Sequence, residues 1–206
     1  MRFLNRCIEE IEGGLKEVDP DDSLAEKYLI RARHHFRLGN KLIEDSDSFL
    51  ENNDVDPGSL NDINTLSTKI NDETEMLFYD WAIIASYYGI YHSILALLIS
   101  IGYTSKNHSC AIAALEHFFY RKNDKLENRK IFVIQKLRAV EKRMVDDAWT
   151  MKDRREKTAY GIALSTERFQ AEESLEEGRW FLENVVNLID QIRKVPPNER
   201  VERYNV

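Results

Sequence analysis

Residues 77–103 read LFYDWAIIASYYGIYHSILALLISIGY, and this stretch decides the fold. The twenty residues from Ala82 to Ile101 carry no charge, in a chain that is 32% Asp, Glu, Lys and Arg. As a helix they would be about 30 Å long, enough to cross the hydrocarbon core of a bilayer. Inside the run, however, lie Ser86, Tyr87, Tyr88, Tyr91 and His92. In lipid, each of those polar tips would need a partner. The flanks lack the anchors of a span, because Asp80 precedes the run and Lys106 is the first cation after it. A helix apolar on every side that does not cross a membrane is one surrounded by other helices. The expectation is therefore a buried central helix and no membrane association.

The rest of the chain agrees with a helical protein. It has 206 residues, with only 4 Pro and 8 Gly, and a mean hydropathy of -0.50. Few breakers and abundant Leu, Ile, Glu, Lys and Arg favour helix, and this length can bury a core without metals or disulfides. The opening MRFLNRCIEEIEGG has acidic residues too early for a signal peptide and no apolar core to one. Cys7 and Cys110 are isolated and have no metal-ligand spacing. They read as reduced thiols, which makes a cytoplasmic protein the expectation.

Helical periodicity places the elements. Phe3, Leu4, Cys7, Ile8, Ile11 and Leu15 recur at three and four, which predicts a short N-terminal helix weakened at Gly13-Gly14. Asp19-Pro20 or Ser23-x-x-Glu26 opens a second helix, which carries Leu24, Tyr28, Ala32, Phe36, Leu42 and Ile43 to about Glu44. The acidic 45–62 segment closes with Pro57-Gly58 and reads as a loop. Ser59 and Asp62 offer a further cap, and a break is expected near Asn71–Glu73 before the central helix. Gly102 suits a left-handed cap at that helix's end. Further helices are expected from His108 to about Tyr120, through Ile131–Ala148, and from Ser165 or Thr166 to the stop at Pro196-Pro197. No alternating strand pattern is visible. The fold class is all-α, an up-and-down bundle of about five or six helices. An N-terminal arm over 1–21, a bundle over 22–194 interrupted by an insertion at 51–76, and a tail over 195–206 complete the expected organisation.

Several chemistries find no support. Glycine-rich phosphate loops and GxSxG elbows are absent. The five histidines, at 34, 35, 92, 108 and 117, form no HExxH and no ExxH, so neither a metal nor a cofactor is expected. The polar cluster of the central helix remains, with Tyr88, His92 and Leu95 on one face and Tyr87, Tyr91 and Ile94 on the next. Such rings can simply fill a core. They can also form a polar patch at a helix seam that holds a nucleotide or RNA. Charge bears on that choice. Between Arg121 and Lys157 there are 13 Lys/Arg against 7 Asp/Glu, a net of +6 in a chain of net charge -7. An acidic protein with one basic segment can present a local anion-binding surface, although a solvated helix face gives the same pattern.

The run Ala85-Ser86-Tyr87-Tyr88-Gly89-Ile90-Tyr91-His92-Ser93-Ile94-Leu95, followed by Gly102, Lys106 and Asn107-His108-Ser109, resembles the HEPN domain (higher eukaryotes and prokaryotes nucleotide-binding). Arg155-Glu156-Lys157-Thr158-Ala159-Tyr160 resembles that family's Arg-x-x-Ala-Asp-Tyr stretch without its acid. The resemblance covers roughly Asp22 to Ile192. It implies a nucleotide- or RNA-binding helical protein, and the matching positions are Tyr88, His92, His108, Arg155 and Tyr160. It also implies a homodimer and a toxin–antitoxin or defence-type pairing with a nucleotidyltransferase-like partner. HEPN ribonucleases carry Arg-x4-6-His, and no Arg–His pair here has that spacing. Tyr160 stands where the His would, and a phenol of pKa near 10 is a poor base. Binding without efficient cleavage is the expectation. The alternatives are a divergent metal-independent ribonuclease using His92 or His108, and a purely structural interaction module.

Overall fold

The computed structural model describes residues 2–52, 78–121, 131–160 and 167–204. The expected break near Asn71–Glu73, the cap at Ser59 and most of the 51–76 insertion lie outside these. In chain order the elements are α1 (Arg2–Glu9), β1 (Leu15–Glu17), α2 (Asp22–Asn52), α3 (Tyr79–Ser100), β2 (Tyr103–Ser105), α4 (His108–Leu115), α5 (Ile131–Tyr160), α6 (Arg168–Ile192) and α7 (Pro197–Tyr204). A π-helical turn, Glu116–Arg121, continues α4. The all-α bundle read from the sequence is the architecture found.

The central helix is α3. It is long and apolar enough to cross a membrane, but 83% of its most apolar window is buried inside the protein. α2, α5 and α6 pack around it. The closest approach is marked by Phe36, whose ring lies between two glycines. A Cβ on Gly89 of α3 would stand 2.5 Å from the ring, and one on Gly178 of α6 would stand 2.3 Å from it. Both are far inside contact distance, so the two glycines let three helix backbones converge on one ring. Ser86 adds a buried tie, its Oγ donating to the Ser174 carbonyl of α6.

The ends of the helices are set by side chains. Asp21 caps α2, its carboxylate accepting from the Leu24 amide at 2.8 Å, so neither Asp19 nor Ser23 is the cap. α2 also runs past Glu44 to Asn52, through acidic residues that read as loop. Its face remains apolar there, with Leu50 buried. Buried Ser46 donates to Leu42 O and accepts from the Phe78 amide, each at 2.8 Å, which pins the end of α2 to the start of α3. At the other end of α3, Gly102 takes φ +89°, the left-handed conformation its position predicted. The tail after Pro196 carries a helix, and Arg200 of that helix is 3% exposed. It grips Asp22 through both guanidinium nitrogens at 2.8 and 3.2 Å.

Two readings of the N-terminal region are corrected. β1 and β2 form a short antiparallel ladder, with Leu15 opposite Ser105 and Glu17 opposite Tyr103. Three-residue strands are too short to show alternation. Cys7 and Cys110 are joined in a disulfide, with Cα atoms 5.6 Å apart across a sequence separation of 103 residues. They are therefore not two isolated thiols, and the cytoplasmic expectation loses the ground it stood on. In the chain-entropy account, closing a loop of that size disfavours the unfolded chain by about 4–5 kcal/mol.

Candidate functional site

The polar cluster of α3 faces α2 on one side and the start of α4 on the other. His108 is the first residue of α4, placed there by Asn107, whose side chain accepts from the Cys110 amide at 3.1 Å. The His108 ring stacks on Tyr91 with centroids 3.8 Å apart and planes 9° from parallel. Its Nδ1 shares a 2.5 Å hydrogen bond with the Tyr87 hydroxyl. Tyr88 meets His108 edge-on at 5.8 Å. Tyr91 in turn donates its hydroxyl to the Ser105 carbonyl of β2.

On the α2 side, the His35 ring stacks with Tyr88 at 5.7 Å and with His92 at 5.0 Å. Tyr28 lies 6.1 Å from His92. His92 Nδ1 is 2.8 Å from the Tyr88 carbonyl. A carbonyl can only accept, so Nδ1 carries a proton and the neutral ring keeps its acceptor lone pair on Nε2. Tyr87 and Tyr91 are buried, whereas Tyr28, His35, Tyr88, His92 and His108 are half-buried and reach the surface.

Burial and a cationic rim set the protonation states. Burial holds His35, His92 and His108 below the usual imidazole range. His92, His34 and then Arg31 of α2 push His35 the same way, whereas at His92 the hydrogen bond to the Tyr88 carbonyl opposes burial and Arg31 adds a smaller downward push. Arg155 and Lys152 of α5 push His108 the same way, while Glu156 opposes them. The three rings are accordingly neutral at pH 7. Burial also raises the Tyr87 phenol, partly offset by Arg155, and lifts Tyr91 to about 12. Both phenols keep their protons. The result is a cluster of neutral, hydrogen-bonding rings, some stacked and some edge-on, with Arg31 acting on the His35–His92 side and Arg155 and Lys152, the latter paired with Glu156, acting on the His108 side. Aromatic faces and imidazoles suit a nucleobase, and a cationic rim suits phosphate.

Of the residues singled out in the sequence, Tyr88, His92 and His108 come together, and Arg155 of α5 acts electrostatically on the same cluster. The Tyr160 side chain lies outside the described residues. In the sequence Tyr28 reads only as a position on the apolar face of α2 and His35 only as one of five scattered histidines, and Arg31 between them is not singled out. Their signal was present: residues 28, 31 and 35 fall at i, i+3 and i+7, one face of α2. Among the described residues, no group of three or more His, Cys, Asp or Glu is arranged to hold a metal ion.

The fold is a helical bundle with a Tyr–His cluster on its central helix, and the HEPN domain model matches residues 64–190 of this chain. The chain belongs to the HEPN domain family. The match takes in α3 to α6 and leaves out α2, which supplies Tyr28, Arg31 and His35. No curated protein and no solved structure matches the chain.

Proposed function

We propose that this HEPN protein binds a nucleotide or single-stranded RNA at the Tyr88–His92–His108 face, without efficient cleavage. The observation that carries the reading is the meeting of these three side chains with His35, with Arg31 acting on one side of the cluster and Arg155 on the other, beside a Lys152 that is paired with Glu156. Rings stack on a base, and the cations take phosphate charge in a salt-dependent way. Tyr160 is the further candidate contact that the family resemblance implies. The test is fluorescence anisotropy of labelled RNA oligonucleotides at low salt. Wild-type protein binds, and Arg155→Ala and His35→Ala bind more weakly. Absence of binding by the wild type at low salt overturns the reading and leaves a structural module.

A second reading follows from His92, whose Nε2 lone pair makes it a competent base. A metal-independent ribonuclease would then use His92 or His108 on the RNA 2′-hydroxyl. Cleavage of RNA in EDTA that is lost in His92→Ala supports it, and cleavage that survives both His→Ala variants removes it. The missing Arg-x4-6-His spacing favours binding alone.

The family resemblance also supports a homodimer, and a nucleotidyltransferase-like partner in a toxin–antitoxin or defence-type pair. Light scattering tests the first. Co-purification with the product of a neighbouring gene tests the second.

A further inference from the structure

The N-terminal arm is fastened to the very segment that positions His108. α1 packs on α4 with Leu4 and Cys7 buried, and Cys7 is bonded to Cys110, two residues beyond His108. The carbonyl of Gly13 accepts from the Lys106 and Asn107 amides at 2.7 and 2.9 Å. β1 lies along β2, and the Val18 amide donates to Gly102 O at 2.9 Å. β2 receives the Tyr91 hydroxyl at Ser105 O, and Asn107 sets the first turn of α4. The contacts of the His108 ring with Tyr87 and Tyr91 thus lie next to a junction that the arm holds from outside.

We propose that the Cys7–Cys110 bond is a thiol-sensitive clasp, whose opening by a dithiol reductant frees the arm and loosens His108 from Tyr87 and Tyr91. The chemistry is thiol–disulfide exchange. A thiolate of the dithiol attacks one cysteine sulfur, the S–S bond breaks, and the other cysteine leaves as thiolate. The second thiol of the reductant then closes its own disulfide and releases the first cysteine. Two electrons pass to the protein, the reductant is oxidised, and two protons complete the cysteine thiols. Both sulfurs are buried, with Cys7 1% and Cys110 0% exposed. The reductant therefore gains access through opening of the arm, and exchange is limited by that local unfolding. The α1 helix has 8 residues, too few to hold together without its packing.

The consequence for a ligand rests on the proposed nucleotide or RNA site, whereas the consequence for His108 does not. The full-length protein is compared oxidised and after treatment with a dithiol, with thiols counted to confirm opening. The His108 ring resonance moves on reduction and returns on reoxidation, while exposed His34 of α2 stays in place. Amides of β1 lose exchange protection in step. Affinity for a labelled RNA oligonucleotide falls about fivefold or more, the lower range of coupling between linked sites. The Cys7→Ala/Cys110→Ala protein shows the reduced spectrum with or without reductant. A bond that resists the dithiol, or two counted thiols with His108 and β1 unchanged, overturns the clasp. A shifted His108 with no oligonucleotide binding in either state supports the clasp and overturns the ligand reading instead.

Discussion

The Tyr87 hydroxyl and His108 Nδ1 lie 2.5 Å apart, joining the central helix to the first residue of α4. Tyr87 is 3% exposed and its phenol stays protonated. Tyr87→Phe keeps the ring and deletes the hydroxyl, leaving a half-buried imidazole nitrogen without that bond. The expected cost is about 1–3 kcal/mol, read as a lower denaturant midpoint at unchanged slope. A change within about 0.3 kcal/mol of zero, the scatter of such measurements, would mean the bond adds nothing to stability.

The neutral histidines make stability depend on pH. Their native pKa values lie below 6.5, so the unfolded chain binds more protons than the native one between those values and pH 6.5. Stability is full above pH 6.5 and declines as pH falls through the depressed values. Asp80, Asp147 and Glu177 have the opposite sign. Burial raises them above their usual range, so protonation favours the native state at lower pH. Denaturant midpoints measured from pH 8 to pH 5 should fall in the wild type and fall less in His92→Gln. Equal slopes for the two proteins would remove His92 from the account.

Packing at Phe36 can be probed from both sides. Phe36→Ala empties the space between Gly89 and Gly178 and is expected to cost about 3–5 kcal/mol. Gly89→Ala does the reverse, driving a methyl to 2.5 Å from the ring, at a cost of about 1–3 kcal/mol. Combined with Phe36→Leu, Gly89→Ala should cost less than the two changes added, because the clash is relieved. Strict additivity in that cycle would contradict the contact.

His35 separates a binding role from a core role. It is half-buried and stacks on both Tyr88 and His92. His35→Ala should weaken oligonucleotide binding about tenfold, the effect of losing one stacking platform. His35→Phe, which keeps a ring, should recover most of that loss. Equal weakening by Ala and Phe would point to the imidazole's hydrogen bonding instead of its face.

The central helix was legible because nothing else in the chain is apolar for so long, and the tyrosines and His92 inside it argued against lipid. Gly102 was legible because a left-handed cap has few other residue choices. The Cys7–Cys110 bond was not legible, since nothing local in sequence tells a cysteine of a partner 103 residues away. The end of α2 was misread because Asp and Ser dominate residues 45–48, and only Leu50 and Ser46, both buried, reveal the continuing face. Tyr88, His92 and His108, which the structure brings together, were singled out through the family pattern on α3 and α4. Tyr28 and His35 were not, because their pairing with α3 is tertiary and α2 lies outside the matched span.

Oligonucleotide affinity measured across a salt series, for wild type and Arg155→Ala side by side, tests the central claim most directly. Neutralised phosphates make log affinity fall linearly with log salt, and each cation lost lowers that slope by about 0.7 for a single strand. The account predicts wild-type binding at low salt, weaker binding by Arg155→Ala, and a shallower slope for the variant. No binding by the wild type, or identical affinity and slope for the two proteins, would contradict it.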